Sequence, residues 1–264
     1  KRMFLDAGFQ LVYDNDLGEP LADGFYFTIR HPGFENGADL LMELLHYGVS
    51  ASRALTLVLG EAGTGKTTLV YAAMASQRRQ NVTPVYLNNP TLTRDEFFEW
   101  LGSRFKLRAS VQGSKVRLLD ELEVVLAERR AQGNPWALML DEAQSLPDEL
   151  LEEVRLLTNL ERDGHKLLPV VMLGQPELGD RLNKPSMRQL KQRVAVRCAL
   201  SPLTLRETAA YVAKRITVAG GNGLQVFTRE AVELVHQRSA GIPRTINVIC
   251  DNALLAGFAL GRRP

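Results

Sequence analysis

The run Gly60-Glu61-Ala62-Gly63-Thr64-Gly65-Lys66-Thr67 completes a G-x-x-x-x-G-K-T loop, and the apolar segment Leu55-Thr-Leu-Val-Leu59 leads straight into it. A buried-type strand, a glycine-rich turn and a helical stretch to about Ser76, in that order, describe one corner of a parallel α/β sheet that binds nucleotide phosphates. The glycines let backbone N–H groups turn toward a β-phosphate. Lys66 reaches the β/γ oxygens, and the Thr67 hydroxyl suits one Mg²⁺ position. A helix opening at Lys66 adds the positive end of its dipole.

The rest of the chain repeats the strand and helix alternation. Apolar residues Leu40, Leu41, Leu44 and Leu45 predict a helix over Ala38 to Val49. Pro84–Leu87 reads as a second strand stopped at Asn88-Asn89-Pro90. Thr93 with Glu96 forms a capping box, and a further helix spans Lys115 to Ala131. Trp136–Leu140, Leu168–Leu173 and Val194–Leu200 complete the strands, with a helix entered at Pro147 between the first two. Strands apolar on both faces imply a parallel sheet covered by helices on both sides. Beyond Pro202 only helices follow: one capped by Thr204 and Glu207, one opened by Thr228 with Ala231, Leu234 and Val235 inward, and one after Pro243. The expected domains are a 1–33 extension of short strands or loops, a 34–201 nucleotide-binding core and a 202–264 helical lid.

Composition narrows the class. The 264 residues are 45% hydrophobic and 23% charged with a net charge of +2, an ordinary globular balance without a basic field that would demand nucleic acid. The runs Gln77-Arg-Arg79 and Arg262-Arg263 are too short to make one. Cys198 and Cys250 have neither metal-ligand nor disulfide-framework spacing, which points to a reducing compartment. No stretch approaches a membrane span, and the chain opens on Lys1, so further segments, an anchor among them, are compatible with it.

Leu138-Met-Leu140-Asp141-Glu142 is an apolar strand ending in two acids, the Walker B arrangement: Asp141 serves the metal and Glu142 polarises the attacking water. Gln175, just after the fourth strand, is placed to orient that water from the other side. Asn88 and Asn89 stand close enough to hydrogen-bond Glu142, or simply make a polar turn. Phosphoryl transfer needs added cations. Arg244, in Gly241-Ile-Pro-Arg244, can serve the γ-phosphate. Arg188, Arg193 and Arg197 compete for the role of a finger into a neighbouring subunit, with Arg193 favoured. His165 and His236 read as exposed or packing histidines.

From about His31 onward, the blocks Gly60-Glu-Ala-Gly-Thr-Gly-Lys-Thr-Thr68, Asp141-Glu-Ala-Gln-Ser-Leu146, Leu156-Leu-Thr-Asn-Leu-Glu161, Leu173-Gly-Gln-Pro-Glu-Leu178, Arg188-Gln-Leu-Lys-Gln-Arg193 and Gly241-Ile-Pro-Arg-Thr-Ile-Asn247 together resemble AAA+ ATPases of the ExeA/GspA, general secretion pathway type. The resemblance implies an α/β P-loop NTPase with a five-stranded parallel sheet, its P-loop strand central, and a C-terminal helical lid. It implies ATP/ADP with Mg²⁺ as ligands, and binding through Gly60 to Thr68 and Arg244. Sensor 1 would be Gln175, sensor 2 Arg244, and the finger one of the arginines at 188 to 197. It also implies ring or filament self-assembly. Implied partners are envelope secretion, pilus or surface-polysaccharide assembly proteins, met from the cytoplasm or the cytoplasmic face of the inner membrane. The family's aromatic-proline opening is not legible in residues 1 to 30.

Two functions of different class follow. The first is an ATPase powering or regulating a bacterial secretion, pilus or polysaccharide export machine through nucleotide-dependent oligomerisation. The second, ranked lower, is a DNA-linked regulator of transposition, which needs a basic stripe and steeply salt-dependent affinity. A tight-binding switch with little turnover is a third reading, opposed by the intact Glu142.

Overall fold

A computed structural model of the chain describes residues 10–14, 27–30, 54–75, 82–88, 91–108, 113–223 and 225–261. The helix expected over Ala38 to Val49, Ser76, Asn89 and the two short basic runs lie outside these residues, as does most of the 1–33 extension. Two of the extension's short strands are described: β1 (Gln10–Asp14) and β2 (Phe27–Arg30) pair antiparallel, Gln10 opposite Arg30.

Two compact units make up the chain, one of Lys1–Leu59 and Thr67–Ala199, the other of Gly60–Lys66 and Leu200–Pro264. The first is built on β3 (Leu55–Gly60), α1 (Lys66–Ala75), β4 (Thr83–Leu87), α2 (Arg94–Arg104), α3 (Lys115–Ala131), β5 (Trp136–Leu140), α4 (Asp148–Leu157), the two-residue strands β6 (Glu161–Arg162) and β7 (His165–Lys166), β8 (Val170–Gly174), α5 (Pro176–Leu182), α6 (Arg188–Lys191) and β9 (Val194–Leu200). The five-stranded sheet has the order β4-β5-β8-β3-β9, and the pairs β4·β5, β5·β8 and β3·β8 run parallel. The central strand is therefore β8, not the P-loop strand β3. Burial reflects this order. β3, β5 and β8 are buried at every residue, whereas the edge strand β9 alternates, with Val194, Val196 and Cys198 inward.

The core joins these strands to the apolar faces of the helices, with Phe97, Leu101, Phe105, Leu122, Leu126 and Leu151 fully buried. The Thr93–Glu96 capping box starts α2: Thr93 N–H donates to the Glu96 carboxylate at 2.7 Å, and Glu96 N–H donates to the Thr93 hydroxyl at 3.3 Å. Glu153 on α4 is a charge in this core, 4% exposed. It accepts from Arg94 Nε at 2.7 Å and Lys115 Nζ at 2.6 Å, so one satisfied carboxylate ties the starts of α2 and α3 to α4. Two boundaries differ from expectation. β8 begins at Val170, because Pro169 has no N–H for the ladder, and α4 begins at Asp148 with Pro147 just before it.

The second unit contains α7 (Leu205–Val218), α8 (Arg229–Ser239) and α9 (Pro243–Ala259) around Val212, Val235, Ile246 and Cys250. Thr204 with Glu207 caps α7, and Thr228 caps α8, as their spacing predicts. Leu234, expected inward, is exposed: in so thin a bundle α8 buries a narrow stripe centred on Val235, and the neighbouring position turns to solvent.

Candidate functional site

Register brings the site to one end of the sheet. Leu87 stands opposite Leu140, Leu140 opposite Met172, and Leu59 opposite Gly174, so the segments that begin at Asn88, Asp141 and Gln175 leave the same carboxyl edge. The Asp141 N–H donates to Leu87 O at 3.0 Å and fixes the corner of β5.

Within the first unit, Thr67 Oγ1 donates to Asp141 Oδ2 at 2.6 Å, although the two lie 74 residues apart. Asp141 is buried, and its other oxygen accepts the Glu142 N–H at 2.9 Å. Glu142 adopts left-handed backbone (φ 51°) and is exposed, opening a 3-10 turn at Ala143–Ser145. That turn brings Gln144 back alongside it. Gln144 Nε2 donates to Glu142 Oε2 at 2.5 Å, and Gln175 Nε2 reaches the same oxygen at 3.4 Å. Gln175 caps α5, and its N–H donates to Gln144 Oε1 at 3.1 Å. The donors to the Glu142 carboxylate among the described residues are thus Gln144 and Gln175. Asn88 is exposed and not one of them, because the left-handed turn directs Glu142 toward β8 and α5.

Within the second unit, the loop has φ of +83° at Gly63 and +97° at Gly65, backbone that a side chain would strain. Lys66 is buried, with Nζ donating to Gly60 O at 2.7 Å and Glu61 O at 3.1 Å, and Thr64 Oγ1 donates to Glu61 O at 2.8 Å. Arg244 N–H, in the first turn of α9, donates to Gly63 O at 3.2 Å. A Cβ on Gly63 would stand 2.7 Å from Arg244 Cβ, so glycine is what lets the arginine's helix approach the loop. Glu61, Ala62 and Thr68 are exposed.

The residues fit the ligands their motifs imply. A hydroxyl and a carboxylate at 2.6 Å are hard oxygen donors of the kind Mg²⁺ takes beside phosphate oxygens. At Gly65 an added Cβ would meet nothing within 4 Å, so the backbone there borders open space as a phosphate cradle requires. Of the finger candidates, Arg188 on α6 is exposed and Arg193 and Arg197 are half-buried; Arg193 lies near enough to Glu161 to help hold its carboxylate below the usual range, after the larger effect of Lys166. His236 Nδ1 sits 3.0 Å from Thr208 Oγ1, a packing role.

Three residues escaped sequence reasoning. Gln144 and Arg181 form the network around Glu142, with Arg181 Nη1 donating to Gln144 O at 2.7 Å and the guanidinium also paired with Asp148. Tyr86 on β4 stacks on Tyr71 at 4.4 Å between centroids, and its hydroxyl is buried without a partner among the described residues. Burial, then Tyr71 and Asp141, push that hydroxyl up to about 12. Only Gln144 carried a signal, its place two residues after Glu142.

The AAA domain family matches residues 49–182, about half the chain. General secretion pathway protein A of Aeromonas hydrophila is 41% identical over 217 residues, covering 82% of this chain. The chain spans 39% of that protein's length. Among solved structures, the Aeropyrum pernix ORC2 protein in ADPNP and ADP complexes has a TM-score of 0.61 at 19% identity, covering 85% of this chain and 63% of that one. Cdc6p from Pyrobaculum aerophilum has a TM-score of 0.62 at 16% identity, covering 96% and 68%. At such identities these structures share the fold. Among the described residues, no helix is long and apolar enough to cross a membrane.

Proposed function

We propose, from the premise that this chain belongs to the AAA domain family and is of the general secretion pathway protein A type, that it binds and hydrolyses ATP and that the cycle drives its assembly state. The observation that carries this reading is the 2.6 Å contact of Thr67 with Asp141, which joins the P-loop to the acidic end of β5 beside Glu142. Thr67 and Asp141 would hold Mg²⁺, which when bound neutralises charge on the phosphate oxygens. The loop 60–67 binds and orients the phosphates. Glu142, exposed at the sheet edge with one oxygen held by amides, accepts the proton of the attacking water, and Gln175 helps orient that water. Arg244, packed on the loop at Gly63, senses the nucleotide, and Arg193 completes a neighbouring protomer's site.

The likeness to general secretion pathway protein A supports a role in powering or regulating a bacterial secretion, pilus or surface-polysaccharide export system from the cytoplasmic side, in a ring or filament. Phosphate release from ATP, measured with and without duplex DNA across a salt series, tests this. DNA-independent turnover is expected. Strong DNA stimulation that fades with salt transfers the chain to the DNA-linked reading, and absence of turnover under every condition contradicts the ATPase.

A further inference from the structure

We infer that Gln144 is a positioning residue for hydrolysis: it fixes the Glu142 carboxylate and couples it to α5. The inference rests on the proposed role of Glu142 as general base.

An amide can be placed two ways round, and here the partners decide. Gln175 presents a backbone N–H 3.1 Å from one end of the Gln144 amide, and an N–H can only donate, so that end is Oε1. The other end must then be Nε2, which can only donate, and it lies 2.5 Å from Glu142 Oε2. The amide therefore has one orientation that satisfies both neighbours. It holds Oε2 as an acceptor and leaves Oε1 of Glu142, which takes no bond from any described residue, as the oxygen directed at water.

Gln144 is itself held at a third point. Arg181 Nη1 donates to its carbonyl at 2.7 Å and is paired with Asp148 at the start of α4. Both anchors, the Gln175 N–H at the cap of α5 and Arg181 in its last turn, belong to one helix. A Cβ on Gly174 would stand 2.5 Å from Leu178 Cδ2 and 3.1 Å from Gln144 Oε1, so the glycine ending β8 leaves room first for Leu178 of α5 and then for this contact. The chain runs from α5 through a 3-10 turn at Pro185–Met187 into α6, which carries Arg188 and leads to Arg193. Any displacement of α5 by a neighbour is thus delivered through Gln144 to the carboxylate. Asn88 takes no part in this path.

Gln144→Ala removes the hold, and Gln144→Glu is the sharper variant. A glutamate still accepts the Gln175 N–H at the same reach but presents an acceptor where Glu142 needs a donor. Steady-state ATP hydrolysis on the full chain should show kcat lower by about 10- to 100-fold in both variants, with KM and the affinity for a fluorescent ADP analogue within about 3-fold of the parent. Melting temperature, followed in parallel, should stay near the parent's. Gln144→Glu with parental kcat would overturn the inference, because the donor to Glu142 would then be dispensable. A rise in kcat in Gln144→Ala would also overturn it, since Gln144 would be restraining the base. Equal losses in kcat and ADP affinity would make the residue structural. Glu142→Gln run alongside separates the two readings: if it hydrolyses ATP at the parent's rate, the base assignment itself fails. If it is inactive while both Gln144 variants are unaffected, only the coupling fails.

Discussion

The two units differ in how much interior they own. The sheet unit encloses a continuous core from Leu55 to Val194, with strands buried on both faces, and carries Asp141, Glu142 and Gln175 just past strand ends, Thr67 in the first turn of α1 and Gln144 in the 3-10 turn after β5. The helical unit has a small core around Val212, Val235, Ile246 and Cys250 and leaves Val218, Leu234, Val248, Leu255 and Phe258 exposed, the last at 86%. Catalytic geometry needs positions held to fractions of an ångström, which a thick core supplies. Presenting a phosphate loop and Arg244 needs only local hydrogen bonds, such as Lys66 to Gly60 and Arg244 to Gly63. Under the proposed function, the first unit would carry the hydrolytic residues and the second the phosphate loop and Arg244.

The strongest challenge to that assignment is Arg193→Ala. This residue belongs to the sheet unit, yet its proposed target is another copy. Turnover should fall by about 10³-fold or more and return when the variant is mixed with a Lys66→Ala chain, read as phosphate release against mixing ratio. No complementation at any ratio would confine Arg193 to its own protomer. Next in size, Phe97→Ala in the sheet core should cost about 3–5 kcal/mol in urea unfolding, because Phe97 is fully buried. Val235→Ala in the helical core should cost about 1–2 kcal/mol, and a loss equal to that of Phe97→Ala would erase the contrast. Phe258→Ala should change stability by less than about 0.5 kcal/mol, while a larger loss would show that this face of α9 is covered.

Legibility in the sequence followed the same division. Trp136–Leu140, Val194–Leu200 and Lys115–Ala131 lie where periodicity and apolar runs place them, and both capping boxes start their helices, because these signals are local. Strand order is not local: nothing within Leu55–Gly60 states that β8 rather than β3 lies at the centre of the sheet. Leu234 shows the same limit from the helical side, since a narrow stripe and a broad one have similar spacing. At the site, the P-loop and Asp141-Glu142 were readable because their residue types are fixed by chemistry. For the hold on Glu142 the sequence offers Asn88 and Asn89 at the end of β4, equally readable as a polar turn, and Asn89 lies outside the described residues. The structure gives the hold to Gln144, through a left-handed turn at Glu142 that propensity disfavours and only the packed fold imposes. The Arg94, Lys115 and Glu153 cluster was illegible for the same reason, being assembled from three helices.

The central claim, that loop 60–67 captures the nucleotide's phosphates, is most directly tested by calorimetric titration of Lys66→Ala with ADP and Mg²⁺ beside the parent chain. The parent should bind at micromolar concentration and the variant should give no saturable heat, since the ammonium held at Gly60 and Glu61 is gone. Retained micromolar binding by Lys66→Ala would contradict the claim.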